Sequence, residues 1–163
     1  MFIDKWWGNY IGGSDDSFLL LDYFGTRNST VFNLNDILQE TGLSDLLING
    51  GLENGDLSFH VKEGYVPHFD MAIDVLIDLS AIVLECLHNQ RVAIKDLDNS
   101  SNYSNTISIS AKPEDLMLLT NGLDNFIKNP KSYELSDMMD EESLSELLAD
   151  CNEVCESLRK YIL

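Results

Sequence analysis

Few side chains in this sequence stand at spacings that chemistry could use. The three histidines, His60, His68 and His88, fall on a strand, a loop and a helix end, and none belongs to an HExxH or similar metal-binding pattern. Cys151 and Cys155 are four residues apart and could meet on one helix face. They lie inside an apolar stripe, however, where a free cysteine behaves as a small hydrophobe, and no fourth ligand group stands nearby in sequence. Core packing is the expected role. Gly12-Gly13-Ser14 precedes a helix, as a phosphate-binding turn would, but Asp15 and Asp16 follow at once and would repel a phosphate, and no lysine completes a Walker pattern. Asp96-Leu97-Asp98-Asn99-Ser100 lacks the glycine and the closing glutamate of a calcium loop. No catalytic residue, metal site or cofactor is expected, and an enzyme is not the expectation.

The carboxylates are a different matter. Between Glu134 and Glu156 the chain carries nine acidic residues and no basic one. Four of them, Glu142, Glu146, Asp150 and Glu153, recur every three or four residues on the face opposite the apolar stripe of the last helix. Like charges at that spacing cost about 0.2–0.5 kcal/mol per pair in an isolated helix, and interleaved lysines would turn each cost into a gain. Either this face is merely solvated, or it is shaped to meet a positively charged partner. These four are the candidate partner-binding residues.

The whole composition leans the same way. Among 163 residues, 28 Asp and Glu oppose 10 Lys and Arg, a formal net charge of −18. Such a chain repels nucleic acid and anionic membranes, because affinity for phosphates comes from Lys and Arg. It favours a cationic partner and speeds the encounter by electrostatic steering. With 44% hydrophobic and 23% charged residues, it has the make-up of a globular protein. Its length suits one domain, residues 1–163. The start lacks a basic region followed by an apolar run, and three cysteines without framework spacing suit a reducing compartment. The expected location is cytoplasmic.

The elements that must carry these residues can be read from periodicity. The aromatic, glycine-rich segment 6–13 is expected to form a turn or short strand packed on the core. Ser14 is a helix N-cap, with Asp15 and Asp16 in the first turn and Gly25 placed to end the helix. A short helix over 35–40 should stop at Gly42, and alternation over 57–61 predicts a strand. Residues 69–88 form the strongest helix, apolar over most of its circumference, with Asp70, Asp74, Asp78 and Glu85 confined to one narrow stripe read as its wet side. Strands are expected over 91–97 and 106–110, joined by a polar hairpin loop over 98–105. Pro113 opens a helix that Pro130 terminates near residue 128. The last helix, 141–161, turns Leu144, Leu147, Leu148, Cys151, Val154, Cys155, Leu158 and Ile162 inward. The expected fold is α+β: a central apolar helix and a C-terminal amphipathic helix packed with a small antiparallel sheet.

The opening Trp6-Trp7-Gly8-Asn9-Tyr10-Ile11-Gly12-Gly13-Ser14-Asp15-Asp16-Ser17, running into Phe18–Phe24, resembles immunity proteins of bacterial contact-dependent growth inhibition and polymorphic toxin systems. The helix around Ala72-Ile73-Asp74 to Leu84-Glu85-Cys86, the segment 92–97, and Pro113 onward with Phe126 and Asn129-Pro130 extend the likeness over most of the chain. The resemblance implies a cytoplasmic protein that binds one cognate toxin domain, commonly a nuclease at the C-terminus of a large secreted protein, and blocks it. It supplies no catalytic residues. The competing reading is an acidic adaptor or regulatory module for another basic protein, including nucleic-acid mimicry.

Overall fold

The centre of the fold is the helix with the least polar circumference. In a computed structural model, which describes every residue except 28, 56 and 59–67, this helix is α4, Ala72–Asn89. Its side chains are buried without a break from Val75 to Cys86. A helix so covered must be wrapped on all sides, and five neighbours do this. They are α1 (Asp15–Gly25), α6 (Pro113–Lys128), α8 (Glu141–Arg159), a small sheet, and a 3-10 turn at Phe2–Lys5.

The sheet is three-stranded and mixed. Strand β1 (Val31–Asn33) runs parallel to β5 (Thr106–Ser110), with Phe32 opposite Ile109, and β4 (Val92–Ala93) is antiparallel to β5, with Val92 opposite Ile107. The antiparallel pair is the one the alternation predicts, and β1 adds the parallel neighbour. Residues 91–97 are only partly strand: after Ala93 the chain turns into one helical turn, α5 (Ile94–Leu97), which buries Ile94 and Leu97. The β4–β5 connection is therefore a helical turn plus loop. A second ladder pairs β2 (Leu57–Ser58) with β3 (His68–Phe69) antiparallel. The rest of the strand expected over 57–61 lies outside the described residues.

The helices follow their sequence signals. Ser14 Oγ accepts from the Ser17 amide at the start of α1. Helix α2 (Leu34–Thr41) ends at Gly42, whose φ of 81° is the left-handed geometry glycine adopts freely. Helix α6 begins with Pro113 and ends ahead of Pro130. Two short helices, α3 (Leu43–Asn49) and α7 (Glu134–Asp137), link these elements. Helix α1 ends at Gly25 as its position predicts, and the residue has a second part. A Cβ there would stand 2.3 Å from the Tyr103 ring, so that part is close packing.

Candidate functional site

Helix α8 is positioned by its apolar stripe. Leu144, Leu147, Cys151, Val154, Cys155 and Leu158 are buried against α4 and α6, while Leu148 and Ile162 are half-buried. Asp140 caps the helix, its Oδ1 accepting from the Ser143 amide at 2.7 Å. Packing of one face leaves Glu142, Glu146 and Glu153 exposed and Asp150 half-buried. Partial burial, then Glu153 and Glu146, holds the Asp150 carboxyl above the usual carboxylate range. None of the four is in an ion pair among the described residues. The basic residue at the end of α8, Arg159, is held by Glu156 and Asp124.

One of the four has an internal duty that spacing could not reveal. The Trp6 indole donates from Nε1 to Glu153 Oε2 at 2.8 Å, and Tyr10 donates its hydroxyl to Ser143 Oγ at 3.1 Å. The N-terminal segment thus runs beside the acidic face, pinned at both ends of it. Glu146 and Asp150 lie between these pins in sequence and are free of them.

The same segment explains the acidic stripe of α4, which is not its wet side. Asp78 and Glu85 are both 2% exposed. Glu85 Oε2 accepts from the Ile3 amide at 3.2 Å. Asp78 accepts from the Gly12 amide at 2.8 Å and from the Ser17 hydroxyl at 2.5 Å. Burial pushes the Asp78 carboxyl up to about 7 and that of half-buried Asp74 up to about 6, with Asp16 reinforcing both. From α1, Asp16 accepts the amides of Asp70 and Met71 at 2.9 and 3.0 Å, fixing the entry to α4. Carboxylates here stand in for missing backbone partners, because a buried amide without an acceptor costs about 1–3 kcal/mol.

The opening motif is accordingly a closed structural cassette. Trp7 donates its indole N–H to the Leu97 carbonyl at 2.9 Å, and the Gly8 amide donates to the Ile11 carbonyl at 2.8 Å. Gly12 sits under the Trp7 ring with φ at 80°. From Trp6 to Ser17 nearly every distinctive side chain is spent on holding the segment to α4, α5 and α8. A pattern so tied to one fold identifies a fold family, and residues 2–158 match the Immunity protein 68 family. The chain belongs to that family.

Membership places it among the immunity proteins of toxin systems, whose task is toxin neutralisation. No curated protein and no solved structure matches the chain. The remaining chemistry-bearing residues of this Immunity protein 68 member have structural surroundings. His88 stacks on Phe2 with ring centroids 4.0 Å apart, and His68 lies in β3, whereas His60 is outside the described residues. Among the described residues no group of His, Cys, Asp or Glu is arranged to hold a metal. No helix there is long and apolar enough to cross a membrane. An open groove between the starts of α2 and α6 mixes Asn33, Asp36 and Glu114 with Lys112, and its buried Asp115 already accepts the Lys112 amide.

Cys151 and Cys155 are both fully buried, as the apolar stripe requires, and Cys155 donates its thiol to the Thr120 carbonyl at 3.5 Å. Burial raises both thiols above their ordinary range, which keeps them protonated and unreactive. Replacing either by alanine should lower unfolding stability by about 1–2 kcal/mol through lost packing and leave toxin binding unchanged. Chemical denaturation alongside a binding titration checks this. Stoichiometric zinc in the purified protein, lost on either substitution, would contradict the packing role.

Proposed function

We propose that this immunity protein acts in the cytoplasm as a stoichiometric, non-enzymatic inhibitor. It lays the acidic face of α8 over the basic, substrate-binding surface of its toxin, a nuclease domain at the C-terminus of a large secreted protein. The observation that carries this reading is a helix face of four carboxylates that no cation pairs among the described residues, in a chain of net charge −18. A nuclease must present Lys and Arg to its substrate, so one surface can be claimed by either nucleic acid or Glu142, Glu146, Asp150 and Glu153. Protection that leaves almost no free toxin calls for nanomolar affinity or better, about −12 kcal/mol.

The first experiment is co-purification with the product of the adjacent reading frame, followed by association kinetics against ionic strength. The on-rate should fall at least tenfold from low to physiological salt while the off-rate changes little. An on-rate flat with salt would remove electrostatic steering from this mechanism. Nuclease activity of the purified toxin, abolished at one equivalent of the immunity protein, distinguishes occlusion of a nuclease from capture of some other toxin.

A further inference from the structure

Asp78 sits where a buried carboxyl ought to have a cation, and none of the described residues supplies one. It is 2% exposed, its α4 neighbour Asp74 lies one turn earlier, and Asp16 faces it from α1. The N-terminal segment brings only the Gly12 amide and the Ser17 hydroxyl, and α8 brings the neutral thiol of Cys151. Among the described residues none of Asp16, Asp74 and Asp78 is in an ion pair. Leaving a charge buried without a partner is expensive, and a carboxyl in that position takes up a proton.

The hydrogen-bond geometry accommodates that proton without a loose end. A neutral Asp78 donates its hydroxyl to Ser17 Oγ, whose own hydrogen turns to Ser14 Oγ, 3.1 Å away, while the Gly12 amide still donates to the other carboxyl oxygen. The hydroxyl of half-buried Ser14 then turns its own hydrogen to solvent, and the charge disappears. We propose that Asp78 is a proton-operated latch: protonated, it holds residues 11–17 against α4, and on losing its proton it becomes an uncompensated charge that loosens the N-terminal segment. Because that segment is also tied to Glu153 and Ser143, the latch governs how firmly the flank of α8 is held.

The direction of the pH effect follows from linkage. The folded state binds this proton more tightly than the unfolded chain, where an aspartate titrates near its ordinary value. The stabilisation is complete below that ordinary value and is lost as pH rises through about 7. Asp74 acts in the same sense through about 6. The protein should therefore be more stable at mildly acid than at neutral pH, the reverse of ordinary acid denaturation.

Urea unfolding of the intact protein at steps between about pH 5 and 8 tests the latch. The unfolding equilibrium constant should rise by close to tenfold per pH unit over about pH 5–7 for the one proton on Asp78, with a smaller share from Asp74. Asp78→Asn presents an amide that donates to Ser17 Oγ and a carbonyl that accepts from Gly12, so it should stay folded and lose that tenfold step. A wild-type constant that is flat over this range, or a variant that keeps the full wild-type slope, would overturn the proposal. Should the variant fail to fold, carbon NMR of the wild-type aspartate carboxyls decides. The Asp78 resonance must titrate near neutrality, and titration below about pH 5 would exclude the latch.

Discussion

Reversing Glu146 and Asp150 together to lysine should weaken toxin binding by about 3 kcal/mol, on the order of a hundredfold in Kd, because like charges would then face each other across the contact. The fold should not suffer. Among the described residues neither has a hydrogen bond or ion pair to another part of the protein, in contrast to Glu153 with its indole partner. Lysines at these positions would sit three or four residues from Glu142 and Glu153, converting repulsions into attractions of about 0.2–0.5 kcal/mol each. A lysine at half-buried position 150 can lay its methylenes along the apolar border and keep its ammonium in water. Thermal stability and protection of toxin-expressing cells should therefore move independently. Full protection at wild-type expression would place the interface elsewhere. Exposed Asp15, beside Ser14, and the loop over 98–105 are then the next surfaces to reverse, since Asp16 is buried and holds the entry to α4.

Gly12→Ala should destabilise the protein by about 2–4 kcal/mol, combining a left-handed backbone that a side chain resists with overpacking against a fixed ring. A Cβ at this position would stand 2.4 Å from the Trp7 ring, and that ring is held by its indole bond to the Leu97 carbonyl. The neighbouring Gly8, also at positive φ, has open space where its Cβ would go. Gly8→Ala should consequently cost only the backbone part, about 1 kcal/mol. Denaturant midpoints of the two variants, compared at constant m-value, separate collision from conformation. Equal losses at both positions would show that the Trp7 ring yields and the cassette is not closed.

Signals confined to one helix turn were legible from the sequence, and those depending on a distant partner were not. Ser14, Gly42, Pro113 and Pro130 act on their own backbone, so the starts and stops they mark are where the structure has them. Strand β1 has three residues and a parallel partner beginning at Ser108, and nothing in Val31–Asn33 announces that pairing. Val92 and Ile94 alternate as strand residues do, yet the chain turns helical at Ile94 because burying both Ile94 and Leu97 needs a helical spacing. The spacing of Asp74, Asp78 and Glu85 correctly put them on one side of α4. Whether that side meets water or the amides of Ile3 and Gly12 depends on a segment far away in the chain. For the same reason spacing assembled the α8 carboxylates into one face but could not show that Glu153 carries a tryptophan.

The bond from Trp6 to Glu153 spans 147 residues, and that from Tyr10 to Ser143 spans 133. During synthesis the aromatic segment leaves the ribosome well before its partners on α8. The central helix can collect α1 early, through Asp16 and Asp78, but the flank of the acidic face cannot close until the ribosome has delivered the end of α8. Joining such remote parts carries the entropy of closing loops of 133 and 147 residues, which places this closure late in folding. A protein built this way secures the flank of its acidic helix face only after α8 has emerged. Chains terminated before α8 therefore lack the acidic helix face and the anchor for their own aromatic segment together, and the cell's proteases meet them with Trp6 undocked.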